Sequence, residues 1–489
     1  MGAGAVEAAR TPLTVVATAH SEIRRDAMVV YVSGHETDRP SLRRRAQQFV
    51  RDRPVLSVFL VALAARLVVA VGIAIVENGG VLQPDGVSYS RLAEEAANGK
   101  SSAWSDYDDY LYTRTGALLW PITGLFRILG PVDLAGQVFV AIVGAVTAAA
   151  TVRLGLEFLP RGYAVLAGMI VALLPSQVLW SSLINKDALV WAMLSVLAVV
   201  VVQAPRGSYR RLLLGLLASV LLLLGLAYTR LQTLEIALVA LVLASLFAPS
   251  RRRVVQVAAA AGIATLIPLA LGMGPAGATF VANSGSLEQR RENNAVNAAS
   301  AVVAVQPPPT TPSAAVPPPT TTETPARTTP TKAPAARVPP APPVPPPAPP
   351  APPPPVLEDG GLTASASYVP KGLVVVVLRP FPWEAATAPS STLKLAALES
   401  LLWYPILLCA AVGLFAARRH VRVLAFPLLV LGATAVMYAL TEGNLGTAYR
   451  HRGEFVWVMA LLAALGLSQA AAWSARRRGS TAVLPAELQ

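Results

Sequence analysis

The sequence has few of the residues from which soluble proteins and metalloproteins are built. It contains one cysteine, Cys409, and four histidines in 489 residues. A single cysteine excludes a disulfide framework and any zinc site made of cysteines, and four scattered histidines argue against a buried metal centre. Charged residues make up only 14% of the chain, whereas soluble domains carry roughly 25%. Because so few charges cannot cover a water-facing surface of this size, the composition indicates a membrane protein.

Long apolar runs take the place of the missing charges. Hydrophobic residues account for 54% of the sequence, and the mean hydropathy is +0.54. A helix needs roughly 20 apolar residues to cross a hydrocarbon core of about 30 Å. Ten stretches have about this length: 55–76, 132–152, 163–182, 187–204, 211–228, 232–249, 253–272, 396–417, 421–440 and 454–474. We therefore predict an all-α integral membrane protein that crosses the cell membrane about ten times, with the lipid bilayer as its solvent.

The basic residues fall mostly at the ends of these runs, which accounts for the formal net charge of +13 without a nucleic-acid partner. Arg43, Arg44 and Arg45 precede the first run, so the positive-inside rule places the N-terminus in the cytoplasm. The loops that then alternate to the cytoplasmic side share fourteen arginines: Arg153, Arg161, Arg206, Arg210, Arg211, Arg251, Arg252, Arg253, Arg418, Arg419, Arg422, Arg476, Arg477 and Arg478. The pattern predicts both termini inside, with 1–54 as an N-terminal extension and 475–489 as a tail.

Two long segments are predicted on the exterior side. The first, 77–131, lies within the predicted membrane core at 55–272, where it separates the first span from the second. Residues 86–98 within it have helix-forming composition, with Asp85 at the N-cap position. Residues 116–130 are apolar but too short to span, so they predict a helix that lies in the interface.

The second exterior segment, 273–395, separates the core from the C-terminal helices at 396–474. Its tract at 307–355 holds 23 of the 42 prolines. Such a composition cannot build a core and favours extended polyproline II, with about 3.1 Å of reach per residue. We expect a disordered spacer or tether, and the role of this tract stays open.

Polar residues concentrate in four clusters that the predicted topology places on the exterior face. They are Pro84, Asp85, Gly86 and Tyr89; Asn185, Lys186 and Asp187; Tyr228, Thr229 and Arg230; and the run 441–452, which includes Arg450, His451 and Arg452. A carboxylate near several cations suits a reaction in which a hydroxyl loses its proton and a phosphate leaves. The planar donors of Arg450 and Arg452 suit phosphate oxygens in particular.

Each of these residues also has a structural interpretation. Asp85 would serve as a helix cap. Lys186 and Asp187 would form an interfacial ion pair, and Arg230 would reach from a helix end to the membrane surface. Arg66 lies in the middle of the first span, where a charge is costly, and we expect a structural role in which it pairs with a carboxylate elsewhere in the chain.

Several motifs resemble those of the bacterial GT-C membrane glycosyltransferases. The first exterior loop opens with a D-x-x-x-Y-x-x-x-A pattern at Asp85, Tyr89 and Ala93, followed by the apolar interfacial piece. The stretches PSQVLWSSLINKDAL (175–189), LRPFPWE (378–384) and GNLGTAYRHRGEF (443–455) are similar to signatures of bacterial members. The sequence looks like the branch of protein-mannosyltransferase-like and aminoarabinose-transferase-like enzymes, and the resemblance covers most of the chain outside the N-terminal extension and the proline tract.

This resemblance implies a GT-C-like fold and transfer of a sugar, with inversion, from a polyprenyl-phosphate donor to an acceptor glycan, lipid or protein outside the membrane. It implies that Asp85 is the general base. We predict that the substrates are bound by Tyr89, Lys186, Asp187, Arg230, Arg450, His451 and Arg452. The family motif is often an acidic doublet, whereas Gly86 follows Asp85 here. Asp108 and Asp109 therefore stay open as further acidic contributors, and the need for a divalent metal stays undecided.

Two other classes of function remain open from the sequence. A flippase or transporter of lipid-linked saccharides would also need a basic lumen, but it is expected to show internal repeats, and none is visible. A polysaccharide polymerase or ligase also has many spans and an arginine-bearing exterior loop. It is expected to depend less on a carboxylate in the first exterior loop.

Overall fold

The structure is a computed structural model that describes residues 48, 50–76, 84–247, 261–262, 369–388, 390–441 and 445–477. All of these except Gln48 belong to one compact unit, 49–489. The predictions for most of the N-terminal extension, for the span at 253–272, for the proline tract and for the C-terminal tail concern residues outside these ranges.

The described part of the chain is helical and contains no β-strand. Its α-helices, in chain order, are α1 (Pro54–Val76), α2 (Pro84–Ala97), α3 (Asp106–Arg114), α4 (Gly116–Leu129), α5 (Asp133–Gly155), α6 (Arg161–Leu173), α7 (Pro175–Trp180), α8 (Asp187–Gln203), α9 (Tyr209–Ala227), α10 (Leu231–Ser245), α11 (Ser391–Ala417), α12 (Val421–Thr441), α13 (Leu445–His451) and α14 (Gly453–Arg477).

Six stretches of the described residues are long and apolar enough to cross a membrane. They are Pro54–Val76, Asp133–Gly155, Asp187–Arg206, Tyr209–Ala227, Ser391–Thr441 and Gly453–Arg477. The 51-residue stretch Ser391–Thr441 consists of α11 and α12, joined by a 3₁₀ turn at Arg418–His420. The described part of the chain is thus all-α and of the multi-pass membrane type.

Two of the ten predicted spans differ from the helices observed. The run 163–182 is not one helix, because α6 ends at Leu173 and α7 begins at Pro175. Leu174 between them is extended, with φ −61° and ψ 125°. Proline lacks an N–H and pushes the preceding residue out of the helical region, which accounts for the break. The span expected at 232–249 is the 15-residue helix α10, shorter than a straight membrane crossing requires.

The C-terminal helices α11 and α14 pack with their backbones in close contact. A Cβ atom on Gly413 would lie 3.0 Å from the backbone nitrogen of Gly466 and would clash with the carbonyl of Leu462. A side chain on Gly466 would likewise meet the carbonyl of Cys409. Small residues that bring two helices this close are a recurrent means of association between membrane helices. This contact fixes the position of α14, whose first turn belongs to the site described below.

The helices of the first exterior loop rest on the start of the bundle. Tyr89 and Leu92 of α2 and Leu119 of α4 join a buried cluster with Val140 of α5 and Leu189 of α8. The predicted helix at 86–98 is α2, and its run ends before Gly99, which has φ +70°.

Asp85 occupies the first turn of α2 instead of the predicted N-cap position, because the helix begins at Pro84. Proline is favoured at the first helical position, where no N–H is required.

The two ends of the bundle differ in charge. Asp187 begins α8, and Gln203 ends it about 25 Å away at 1.5 Å per residue. At the far end Glu157 pairs with Arg153 at 3.0 Å and with Arg206. Both arginines belong to loops predicted to be cytoplasmic, whereas Asp187 belongs to a cluster predicted to be exterior.

Cysteine labelling tests this assignment of the two ends. In a Cys409→Ser background, cysteines at the exposed positions Ser101 and Ser208 should behave oppositely in intact cells. A membrane-impermeant thiol reagent should label position 101 and leave position 208 unlabelled until the membrane is permeabilised. Labelling of position 208 alone would invert the topology and place the site inside the cell.

Candidate active site

Residues from all four polar clusters meet at one end of the bundle. Asp85 and Asp187 lie in the first turns of α2 and α8. Arg230 stands between α9 and α10, and Arg450 lies in the last turn of α13. The positions of Asp85, Asp187 and Arg450 follow the electrostatics of the helix, in which negative side chains are favoured near the N-terminus and positive ones near the C-terminus.

Arg450 connects these clusters through all three nitrogens of its guanidinium. Its Nη1 donates to Oδ2 of Asp85 at 2.8 Å, and its Nη2 donates to Oδ1 of Asn185 at 3.1 Å. Its Nε donates to Oδ2 of Asp187. A guanidinium has a fixed planar fork of donors, so these three contacts define the orientation of the side chain.

Asp187 continues the chain of charges into the bundle. Its other oxygen, Oδ1, accepts a hydrogen bond from Nη2 of Arg230 at 2.6 Å. The second arm of Arg230 donates to Glu454 and, at 3.0 Å, to the hydroxyl of Tyr438. We call the five residues Asp85, Arg450, Asp187, Arg230 and Glu454 the charge network.

The charge network runs from the surface to the interior. The side chains of its members are 49% exposed at Asp85, 14% at Arg450, 6% at Arg230, 1% at Asp187 and 0% at Glu454. Breaking a buried ion pair leaves an uncompensated charge, which is strongly destabilising. The buried members are therefore fixed in place, and Asp85 and Arg450 are the members that a ligand can reach.

Lys186 lies next to Asp187 and affects the charge balance. Three carboxylates and two guanidiniums leave the network with one excess negative charge, which a protonated Lys186 cancels. Burial, together with the positive charges of Arg230 and Arg450, lowers the pKa of Lys186 to about 7. Lys186 thus changes its charge near neutral pH. Arg450 stays charged, because the attraction of Asp187 and Asp85 outweighs the effect of burial and raises its pKa above the ordinary value.

Tyr89 and His451 border the network. Tyr89 lies one turn after Asp85 on α2, and its side chain is buried in the cluster that α2 forms with α4, α5 and α8. Burial and the charge of Asp85 raise the pKa of Tyr89, so its hydroxyl stays protonated near neutral pH. The ring of His451 stacks on Tyr438 with a centroid distance of 4.3 Å and an interplanar angle of 19°, which places it beside Arg230 and Glu454.

Arg452 does not share the partners of Arg450, although only one residue separates them. Its guanidinium lies over the rings of Trp403 and Tyr449, at 4.8 and 5.0 Å. Its ion pair, at 3.7 Å, is with Glu399 of α11. Of the two arginines predicted to bind phosphate, Arg450 lies at the accessible end of the charge network and Arg452 lies outside the network, beside Glu399.

Asp108 and Asp109 lie on α3, and neither contacts the charge network among the described residues. Asp108 pairs with Arg91 at 2.6 Å. Both side chains of this pair line a separate crevice of about 340 Å³ on the surface of α2 and α3. Their place near Asp85 in the sequence thus does not bring them to the same site.

Arg66 is buried in the middle of α1 and is held without the carboxylate that we expected. Its Nε donates to Oγ of Ser181 at 2.7 Å, and its Nη1 and Nη2 donate to the carbonyls of Ala172 and Val171 at 3.1 and 3.3 Å. These carbonyls end α6 at the break before Pro175, where proline supplies no N–H. Arg66 satisfies acceptors that the break leaves open, which is a structural role.

Sequence reasoning missed Glu454 and Tyr438. Glu454 lies within the motif GNLGTAYRHRGEF and in the first turn of α14. Its acidic side chain at the predicted membrane edge could have indicated that it belongs to the site. Tyr438 lies inside an apolar span, and nothing in its local sequence distinguishes it from a packing residue.

The described residues contain no group of three histidine, cysteine, aspartate or glutamate side chains placed to hold a metal ion. In the charge network an arginine separates each carboxylate from the next. Comparison of the chain with protein-family models, with curated proteins and with solved structures finds no match in any of the three. The resemblance to the GT-C enzymes therefore rests on the short motifs quoted above.

Because exposure falls from Asp85 to Glu454, substitutions of the buried members of the charge network should destabilise the protein more than substitutions of the exposed one. Replacing Arg230 with Met leaves Asp187 with one partner and Glu454 with no cation, and should lower the free energy of unfolding by about 3–5 kcal/mol. Asp85→Asn removes only an exposed ion pair and should cost about 1 kcal/mol or less. Unfolding of the detergent-solubilised protein measures both, with Arg91→Met as an exposed control. Equal losses for Arg230→Met and Arg91→Met would contradict the buried network.

Proposed function

We propose that this protein is a membrane glycosyltransferase that transfers a sugar from a polyprenyl-phosphate donor to an acceptor hydroxyl. The observation that carries the proposal is the contact of Arg450 with Asp85. It joins the accessible carboxylate of the charge network to a cation that a rigid, buried set of charges holds in place. A base and a phosphate-binding group are thus adjacent at one end of a membrane bundle.

Two features around Arg450 offset the excess negative charge of the network and suit an anionic donor. The N-termini of α2, α8 and α14 converge on the charge network, and helix N-termini attract negative charge. Lys186 adds a further positive charge when protonated. A phosphate that approaches Arg450 competes with the carboxylate of Asp85 for the same N–H groups, since both are acceptors of charge-assisted hydrogen bonds.

Donor binding at Arg450 would therefore release Asp85 for chemistry. The freed carboxylate accepts the proton of the acceptor hydroxyl while the hydroxyl oxygen attacks the anomeric carbon. The bond between that carbon and the phosphate oxygen breaks, and its electron pair leaves with the polyprenyl phosphate. Arg450 and Lys186 stabilise the leaving group. A single displacement of this kind inverts the anomeric configuration.

The buried part of the network supplies rigidity and takes no part in the proton transfer. Asp187 is enclosed between Arg450 and Arg230, and Glu454 holds the far side of Arg230. Because these groups are already oriented before the donor arrives, little reorganisation is needed when charge develops on the leaving phosphate. This division gives Asp187 and Arg230 a positioning role.

Asp85→Asn tests the base. The substitution keeps the size of the side chain and removes a group that typically contributes about 10²- to 10⁴-fold to the rate. The variant should be stable and nearly inactive in transfer from a purified polyprenyl-phosphate sugar, and it should bind that donor at least as tightly, because Asn competes less for Arg450. Glu94→Gln, an exposed change on the same helix, should retain activity.

Turnover of Asp85→Asn at the wild-type rate would exclude Asp85 as the base. Transport of a lipid-linked sugar that persists in Asp85→Asn, without any transfer by the wild-type protein, would favour the flippase alternative.

Lys186 gives the donor affinity a dependence on pH. Below about pH 7 the amine is charged and adds to the attraction for phosphate, and above it the amine is neutral. Donor affinity should therefore fall as the pH rises through this value. Lys186→Arg stays charged and should bind the donor independently of pH over the same interval, because the phosphodiester of the donor keeps one negative charge there. If donor affinity in Lys186→Arg fell with rising pH as it does in the wild-type protein, Lys186 would not belong to the donor site.

A further inference from the structure

A second buried carboxylate, Glu399, lies in α11, remote in sequence from all four polar clusters. Its residue is 2% exposed. It accepts hydrogen bonds from the backbone N–H of Ser176, from the hydroxyl of Ser176 at 2.8 Å and from the hydroxyl of Tyr449 at 3.0 Å. It also pairs with Arg452 at 3.7 Å.

The partners of Glu399 flank the residues of the charge network. Tyr449 immediately precedes Arg450, and Arg452 lies two residues after Arg450, between α13 and α14. A helix as short as α13, with seven residues, has little stability of its own. The contacts of Tyr449 and Arg452 with Glu399 therefore fix both sides of Arg450.

Ser176 connects Glu399 to the other arm of the site. It lies in the first turn of α7, where backbone N–H groups have no partner within the helix, and the carboxylate of Glu399 satisfies one of them. The chain then runs from α7 through Ser181, which Arg66 holds, to Asn185 and Asp187. The break before Pro175 is thus secured from both sides, by Arg66 on α6 and by Glu399 on α7.

We infer that Glu399 is a positioning residue that sets Arg450 against Asp187 and Asn185. Among the described residues, Glu399 forms no hydrogen bond or ion pair with Asp85 or with any other member of the charge network. The inference rests on the proposed function in so far as Arg450 binds the donor, but its geometric part is independent of activity. Loss of the Glu399 contacts should let α13 move relative to α7 and misplace the guanidinium of Arg450.

Tyr449→Phe is the mildest test, because it removes one hydrogen bond to Glu399 and leaves the ion pair with Arg452. Spin labels at Thr447 on α13 and Asn98 near the end of α2, in a Cys409→Ser background, report the position of α13 by the distance between them. Tyr449→Phe should broaden this distance distribution. It should also raise the KM for the donor by up to about 100-fold, with a smaller effect on kcat.

Glu399→Gln is the stronger test, since it removes the charge that faces Arg452. Should it fail to fold, the double variant Glu399→Gln with Arg452→Gln removes both charges and keeps the interior neutral. Either form should broaden the distribution more than Tyr449→Phe does. Glu384→Gln is the matched control, because Glu384 precedes α11 and pairs with Arg379 at 2.7 Å; both readouts should stay at wild-type values.

Two failures are distinguishable. Folded Tyr449→Phe and Glu399→Gln variants with the wild-type distance distribution and the wild-type donor KM would overturn the positioning role. A wild-type protein that transfers no sugar would overturn the proposed function, and the distance distributions alone would then decide whether Glu399 positions α13.

Discussion

The buried ion pair of Arg450 with Asp187 is the contact through which the rest of the site is organised. Asp187 begins α8 and Arg450 ends α13, so their contact joins two helices that are 263 residues apart in sequence. Arg450 also pairs with Asp85, and Asp187 also pairs with Arg230, so this contact connects the exposed and the buried parts of the network. Because burial makes an unpaired charge costly, each buried member needs its neighbour. The network is thus a rigid unit with one accessible end.

The surrounding apolar bundle gives these charges their effect. In a region of low dielectric, ionic contacts are stronger and unpaired polar groups are more costly than in water. The charges of the site lie at or beside helix ends, and the helix dipoles favour Asp85, Asp187 and Glu454 in the first turns of their helices. Two buried charges lie within helices. Arg66 is accommodated because the break before Pro175 frees the carbonyls of Val171 and Ala172, and Glu399 because Ser176, Tyr449 and Arg452 supply its partners.

The sequence was sufficient for the membrane class and for the polar clusters, because both depend on local composition. The apolar runs and their flanking arginines predict helices and their ends, and Asp85, Lys186 and Arg450 stand out at those ends. It was insufficient for Glu399, Glu454 and Tyr438, which are single polar residues whose partners are more than a hundred residues away or on another helix. The different partners of Arg450 and Arg452 could not be read from the sequence, because two residues that are two positions apart at a helical junction point to different sides. The proline at 175 itself indicates a helix break, but the length of the apolar run 163–182 favoured the prediction of one continuous span.

A structure determined with a non-transferable phosphonate analogue of a polyprenyl-phosphate sugar tests the central claim most directly. Arg450 should have left Asp85 for the phosphonate oxygens while its Nε still donates to Asp187, and the anomeric carbon should face the released carboxylate of Asp85. A phosphonate bound elsewhere on the exterior face, with Arg450 still paired to Asp85, would contradict the proposal that this pair is the donor site and the base.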